Sequence, residues 1–322
     1  MMALRPMRPL RTMIQCLVPA LMCAACAAPA PAVRQVEAAW EPVVKSPAYA
    51  MGAGPVVLVD AAHGNYHTIE GRYAAFAHLL QRDGYVVRSA GGPADGALLV
   101  GADVYVIANA LKGGDEAPWT LPARSAFTAD EIACIRGWVS GGGSLLLIAD
   151  HMPMPGATAD LAAAFGIVFY NGFAMRSPEE GGVFQANRTD GTLADHAITG
   201  GRDDRERIES VMVFTGQAFR AVEPVEPLLL APGDGVVLLP SVAWEFSDAT
   251  PRVSAAGLLQ GAVRRYGRGR VAVFGEAAMF TAQQQVRGDE VHLMGLNHPE
   301  AKDNQQFVLN LMHWLTGLLD WP

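Results

Sequence analysis

The stretch that decides the fold is Ser144–His151, which reads Ser-Leu-Leu-Leu-Ile-Ala-Asp-His and follows the glycines at 141–143. A run this short and this apolar is typical of a strand buried on both faces, as in a parallel sheet covered by helices. The run ends at Asp150 and His151. Because ligands of open α/β sheets bind beyond the carboxyl ends of the strands, this acid and this imidazole are candidates for chemistry.

Two other stretches repeat the pattern. Residues 56–59 are all apolar and end in Asp60, with His63 and Asn65 shortly after, and residues 271–274 are followed by Gly275 and Glu276. We predict that the three strands lie near each other in one parallel sheet and that their terminal side chains share one crevice. The candidate catalytic residues are Asp60, His63, Asp150, His151 and Glu276, and the candidate ligand-binding residues are Asn65, Asn297 and Asn304.

Each of these side chains also has a structural interpretation. An aspartate after a strand is commonly a helix cap or a turn former, and for Asp60 alone that role is as well supported as a functional one. Asp150 and His151 favour function more strongly, because a charged pair directly after an apolar strand faces either the crevice or solvent.

Carboxylates and imidazoles together allow two kinds of chemistry. Asp60, His63, Asp150 and His151 could hold a divalent metal that activates water. Alternatively, a carboxylate and a histidine could work as a metal-free acid and base. The sequence has no His-x-His or His-Glu-x-x-His motif, so its spacing leaves both alternatives open.

Local signals predict several elements outside these strands. Thr128 followed by Glu131 forms a capping box that predicts a helix start. The proline-rich segment 152–156 is predicted to be non-helical, and Thr158 to cap the next helix. Short strands between residues 208 and 242 predict a small β extension, and residues 277–304 have weak periodicity.

The N-terminus has the order of a secretory signal: arginines at 5, 8 and 11, an apolar stretch, then small residues. Cys23-Ala24-Ala25-Cys26 resembles a lipobox, which predicts lipidation of Cys26, membrane attachment and a periplasmic location. Ordinary cleavage after Ala27 is the alternative. We therefore divide the chain into a signal peptide (1–26), an Ala/Pro-rich tether (27–54) and a single α/β domain (55–322).

The charge and the cysteine content of the chain bear on nucleic-acid binding and on disulfide formation. Without the three signal arginines, 21 basic residues face 32 acidic ones, a net charge of −11, which argues against a nucleic-acid partner. Beyond the predicted signal peptide the only cysteine is Cys134, so an intradomain disulfide cannot form.

Three blocks carry a family resemblance: Asp60-x-x-His63-Gly-Asn, the stretch from Trp138 to His151, and residues 269–276. They resemble the uncharacterised secreted DUF4350-type domains of the class I glutamine amidotransferase-like fold, which is similar to the N-terminal domain of an intraflagellar transport subunit. The resemblance covers residues 55–319 and implies a flavodoxin-like, mostly parallel sheet with helices on both faces. The strand end at 149–151 has no nucleophilic cysteine, so amidotransferase activity is not expected.

These observations lead to one functional hypothesis and one alternative. The first is an envelope-located α/β domain that acts as a hydrolase on a small polar or carbohydrate-like ligand. The alternative is a non-catalytic lipoprotein module that binds a glycan or a partner.

Overall fold

The computed structural model describes residues 34–37, 40–177, 181–287 and 290–320. The predicted signal peptide, including Cys26, and the first part of the predicted tether lie outside these ranges. Contacts group Val33–Pro322 into one compact unit. Within the described ranges, no helix has the length and apolar character needed to cross a bilayer.

The described strands form one large sheet and three small ones. In chain order they are β1 (Arg34–Glu37), β2 (Val56–Asp60), β3 (Val86–Ala90), β4 (Val104–Ala108), β5 (Ser144–Ile148), β6 (Ile167–Phe169), β7 (Phe173–Met175), β8 (Phe184–Asn187), β9 (Ser210–Val213), β10 (Phe219–Ala221), β11 (Glu226–Leu230), β12 (Val236–Leu238), β13 (Arg252–Ser254), β14 (Leu259–Tyr266), β15 (Gly269–Phe274), β16 (Ala282–Arg287) and β17 (Glu290–Gly295).

The central sheet has the order β3-β2-β4-β5-β15-β14-β10-β6, with β11 also paired to β14. Its first five strands are parallel, and the remaining strands join antiparallel. The predicted parallel arrangement of the three acid-terminated strands is confirmed: β15 pairs with β5, and β4 lies between β5 and β2. The predicted β extension is dispersed, because β10 and β11 join this sheet while β9 pairs with β8 and β12 lies between β13 and β7.

Helices cover both faces of the sheet. They are α1 (Ala74–Arg82), α2 (Gly96–Leu99), α3 (Ala129–Ser140), α4 (Met154–Ala157), α5 (Ala159–Ala163), α6 (Ala197–Gly200) and α7 (Asn304–Leu315). On one face, α1 and α7 pack on Val59, Leu146 and Phe274. On the other face, α3 and α5 pack on Leu58 and Leu147. This is the α/β architecture that the continuous apolar strands predict.

The register of the parallel strands decides where the terminal acids lie. Phe274 pairs with Ile148, so Glu276 and Asp150, each two residues further on, are level with each other. Val59 and Leu146 are level with each other, because both pair with the same residue of β4. Asp60 is therefore level with the residue three positions before Asp150. Because side chains alternate between faces, this odd offset places Asp60 on the α3 face and the other two acids on the α1 face.

Two predictions about helix ends have different outcomes. The capping box is confirmed: the Thr128 side chain accepts from the Glu131 N–H, and the Glu131 carboxylate accepts from the Thr128 N–H. The segment 152–156 was predicted to be non-helical, which is wrong, because α4 begins at Met154. Thr158 does precede α5, but its hydroxyl donates to the Met154 carbonyl (2.9 Å) and does not cap that helix.

The segment 277–304, whose sequence has weak periodicity, contains the antiparallel hairpin β16–β17. Its strands escape periodicity analysis because β17 is exposed along most of its length. β1 pairs with β16, and Trp40, Val44 and Tyr49 pack against the core on the α1 face. This part of the predicted tether therefore contacts the folded unit.

Candidate functional site

The first group of polar side chains is the His63 cluster, which consists of Asp60, His63 and Glu131. His63 Nδ1 lies 2.9 and 2.8 Å from the two oxygens of Asp60, and its Nε2 lies 2.9 Å from Glu131 Oε1. Phe127 stacks on the imidazole at a centroid distance of 4.1 Å. Asp60 comes from the end of β2 and Glu131 from the first turn of α3, so the histidine joins the sheet to a helix.

Electrostatics hold the His63 cluster in its charged form. Burial favours the neutral imidazole, but the hydrogen bonds and charges of Asp60 and Glu131 outweigh it and raise the pKa of His63. Burial also opposes ionisation of Glu131, but hydrogen bonds from Thr128, His63 and Ala94 outweigh it and lower its pKa to about 2. The cluster is a cation between two anions.

The polar atoms of the His63 cluster are already paired. Glu131 Oε1 accepts from His63 and from the Ala94 N–H, and its Oε2 accepts from the Thr128 N–H and hydroxyl. A cavity of about 420 Å³ is lined by His63 and Glu131 of the cluster, together with Lys112, Thr128 and several small residues. The cluster therefore ties β2 to α3 at the wall of this cavity, with the polar atoms of Glu131 engaged by the protein itself.

The residues after His63 support the same structural interpretation. Gly64 has a φ of +64°, and a Cβ there would lie 2.2 Å from the Leu111 carbonyl oxygen. The glycine therefore permits close packing of this chain's own backbone. Asn65 accepts from the His63 N–H (3.1 Å) and donates to the Ala108 carbonyl (3.4 Å), so it shapes the turn.

Asp150 and Glu276 form the centre of a second site on the opposite face of the sheet. Glu276 is fully buried, and its two oxygens accept separately from the N–H groups of Ala278 and Met279, both at 2.8 Å. Burial raises the pKa of both carboxyl groups, and the charge of Asp150 raises that of Glu276 further. Both carboxyl groups are therefore harder to ionise than exposed ones.

Hydrogen bonds act against burial at both acids. N–H donors at both oxygens of Glu276 favour its ionised form. Asp150 Oδ1 accepts from the His151 N–H at 2.8 Å, and a hydrogen bond from the Asn109 side chain also lowers the pKa of Asp150.

Asp150 and His151 open into a cavity of about 280 Å³, which we call the His151 crevice. The crevice is lined by Tyr66, His67, Asn109, Trp119, Asp150, His151, Met154, Thr215, Trp244, Ala278, Gln283, Gln285 and Met294. It shares no lining residue with the cavity beside the His63 cluster. The predicted single crevice is therefore wrong: Asp60 and His63 belong to one site, and Asp150, His151 and Glu276 to another.

Asn109 and His67 are functional candidates that sequence reasoning missed. Asn109 has a φ of +53°, its Oδ1 accepts from the Asp150 N–H (2.8 Å), and its Nδ2 donates to His67 Nδ1 (3.1 Å). The ring proton of His67 is therefore on Nε2. Burial lowers the pKa of His67 to about 3, so it is a neutral donor at physiological pH. Asn109 directly follows β4, so the same observation that made Asp150 a candidate, a polar residue at the carboxyl end of a parallel strand, applies to Asn109 as well.

His151 lies among aromatic rings. Phe173 stacks on it at 4.8 Å, Trp244 meets it edge-on at 4.6 Å, and Trp119 is 5.6 Å away. His151 Nδ1 donates to the Met152 carbonyl (2.8 Å), so Nε2 of the neutral ring is an acceptor. The crevice thus combines a buried carboxyl group of raised pKa, an imidazole acceptor, an imidazole donor and an aromatic wall.

The remaining predicted residues lie elsewhere. Asn304 is fully buried, and its side chain pairs with both the N–H and the carbonyl of Met212 at 2.8 Å. Asn297 donates to the Gln283 carbonyl (3.1 Å). Neither asparagine lines either cavity, so both brace the fold near the crevice wall and do not contact a ligand there.

The predicted metal alternative has no matching group of ligands. Among the residues whose placement the structure describes, no three or more His, Cys, Asp or Glu side chains converge as a metal site. The four predicted ligands are divided between the two faces of the central sheet. Asp60 and His63 lie on one face and Asp150 and His151 on the other, so each face has only one of the two histidines.

Comparisons with known proteins identify the fold and no family. No family model matches the chain, and no curated protein matches it. The solved mmIFT52 N-terminal domain is 14% identical over 81% of this chain and 97% of its own, with a TM-score of 0.55. A putative ThuA-like protein from Bacteroides uniformis is 11% identical, covering 85% and 94% of the two chains, with a TM-score of 0.46.

A cytoplasmic protein from Salmonella typhimurium LT2 is 14% identical over 81% of this chain and 98% of its own, with a TM-score of 0.48. At these identities the likeness concerns the fold alone. The chain has a flavodoxin-like α/β fold with a mostly parallel central sheet, as the strand order β3-β2-β4-β5-β15 indicates.

Proposed function

We propose that the His151 crevice binds a small polar, carbohydrate-like molecule and that Asp150 and His151 act as the acid and the base of a hydrolytic reaction. The observation that carries the proposal is the pairing of a buried carboxyl of raised pKa with an imidazole whose Nε2 is an acceptor. Acid–base sites are recognised by neighbouring groups whose environments give them different protonation states.

The proposed division of work follows from the hydrogen bonds. His151 Nε2 takes a proton from an attacking water, and Asp150 Oδ2 donates its proton to the leaving oxygen. Glu276 does not line the crevice and acts as a positioning residue behind Asp150. His67 Nε2 donates to a substrate oxygen and is held by Asn109.

A non-catalytic binding module is the second candidate. It is favoured by the hydrogen bond from the His151 N–H to Asp150 Oδ1, because a carboxyl held by its own backbone is less free to follow a reaction. Binding alone needs the aromatic wall and the polar groups but no proton transfer.

One experiment separates the two candidates. We expect the wild-type protein to hydrolyse at least one member of a panel of nitrophenyl glycosides and esters. Asp150→Asn and His151→Gln should each lower kcat by about 100-fold or more, the usual contribution of a general acid or base. Calorimetric binding of glycosides with no turnover, lost in the same variants, would support the binding module. If the protein shows neither turnover nor binding with any of these compounds, both candidates are refuted.

We also propose that the protein is an exported lipoprotein of the DUF4350-type group, attached through lipid on Cys26. The proposal rests on the signal-like order of residues 1–26 and the lipobox-like Cys23–Cys26. Cys26→Ser should move the protein from the membrane fraction to the soluble fraction. Unchanged fractionation with a mature N-terminus at Ala28 would indicate ordinary signal cleavage.

A further inference from the structure

Trp244 occupies an unusual position for a large apolar residue. It lines the His151 crevice, and its ring centroid lies 4.6 Å from those of both His151 and Phe173, yet 51% of the residue is exposed. Burial of indole surface is strongly favourable, so a half-exposed tryptophan at the mouth of a polar cavity leaves an apolar surface available to a ligand.

The backbone holds Trp244 at this position in a conformation that bulky residues seldom adopt. Its φ is +67°, in the left-handed region that disfavours a side chain with a Cβ. Such strain persists only where the surroundings enforce it, and it concentrates at ligand sites.

The neighbouring segment supplies that enforcement. The Ala243 N–H donates to the Trp119 carbonyl (2.9 Å), and the Leu121 N–H donates to the Ser241 carbonyl (2.8 Å). Thr120 and Val242 form an antiparallel bridge between these bonds. The two loops that carry Trp119 and Trp244 are therefore joined, and the spacing of the two indoles across the crevice is set before any ligand arrives.

The charge of the crevice restricts what can lie on that surface. None of the described residues that line it is a lysine or an arginine. Asp150 lines the crevice, and Glu276 is fully buried next to it. The Arg72 guanidinium lies over the Tyr66 ring at 3.8 Å and donates to the Tyr66 hydroxyl. An anionic ligand would lie close to two carboxyl groups and would find no lysine or arginine among the lining side chains.

We propose that Trp244 is the specificity-determining residue of the His151 crevice and that it selects a neutral, polyhydroxylated ring over its charged counterparts. The apolar face of the ring lies on the exposed indole, and its hydroxyls reach Asp150 and His67. Sugars that carry a carboxylate or a phosphate are excluded by the acid pair. The inference rests on the proposed function, since it names the ligand class of that same site.

The test measures binding by calorimetry and by tryptophan fluorescence. The probes are the methyl glycosides of glucose, galactose and mannose, with methyl glucuronide and glucose 6-phosphate as charged counterparts. We expect at least tenfold weaker binding of the charged probes, at least tenfold weaker binding of the neutral probe by Trp244→Ala, and recovery of most of the affinity in Trp244→Phe. Leu121→Ala, an exposed residue of the paired loop that does not line the crevice, is the matched control and should bind like wild type.

Different failures point to different errors. If Trp244→Ala binds the neutral probe as tightly as wild type does, or if the charged probes bind equally well, this inference is wrong while the proposed function stands. If wild type binds none of the probes, the proposed function fails and the inference fails with it. Circular dichroism melts of each variant show whether lost binding reflects lost folding.

Discussion

The His63 cluster and the His151 crevice are made from the same residue types at the ends of strands of one sheet. In the first, the histidine has a carboxylate at each nitrogen, and Glu131 accepts four hydrogen bonds. In the second, His151 uses one nitrogen on a backbone carbonyl and turns the other side of its ring toward a cavity. This difference indicates what distinguishes a structural cluster from a candidate site. The deciding feature is whether the polar atoms already have hydrogen-bond partners within the protein, more than the residue type or the position at a strand end.

Their electrostatics differ in the same way. The His63 cluster alternates charge, so each group favours the ionised form of its neighbour. The crevice places two carboxyl groups together without a cation, so each disfavours the ionised form of the other. In structural clusters, opposite charges tend to compensate each other, whereas sites that perform chemistry retain groups with perturbed pKa values.

The largest expected difference appears when the central histidine of the cluster is removed. His63→Ala leaves Asp60, which is fully buried, as an uncompensated carboxylate. Loss of one partner from a buried ion pair lowers the free energy of unfolding by about 3–5 kcal/mol, and denaturant unfolding should detect this. His78→Ala is the control, because that histidine is 37% exposed in its weak contact with Glu41. An effect no larger than that of the control would mean that the cluster is not structural.

A smaller effect is expected in the pH dependence of stability. The lowered pKa of Glu131 contributes stability above its unfolded value of 4.5, and this is lost as pH falls toward about 2. The raised pKa of His63 contributes stability below 6.5, and this is lost as pH rises through the folded value. The cluster therefore stabilises most between pH 4.5 and 6.5.

Glu131→Gln should flatten this profile. Thermal unfolding midpoints measured from pH 2 to 8 should show the difference between wild type and variant largest inside the window and smallest at pH 2. Asp130→Asn changes a neighbouring exposed charge on the same helix and is the matched control. A constant difference at every pH would show that the ion pairs with His63 are not the cause.

Much of this arrangement could be predicted from the sequence. The rest depends on contacts between residues that are far apart in the chain. Apolar runs ending in acids identified the parallel strands, because burial on both faces imposes that pattern. The face on which Asp60 lies depends on the offset between β2 and β5, which no local pattern encodes. His67 and Trp244 were missed because irregular loops bring them to the crevice, whereas Asn109 follows a predicted strand and the strand-end rule could have found it.

The smallest expected change in stability, and the sharpest test of the comparison, is Asp150→Asn. If Asp150 is protonated, asparagine replaces it at nearly the same size and charge, and its carbonyl oxygen can still accept from the His151 N–H. The free energy of unfolding at pH 7 should then change by no more than about 0.5–1 kcal/mol. Turnover should nevertheless be lost, because asparagine cannot donate the acid proton. Unfolding in urea, measured beside His63→Ala under the same conditions, provides the comparison. Destabilisation as large as that of His63→Ala would show that Asp150 is a structural cap, and the distinction between the two regions would then fail.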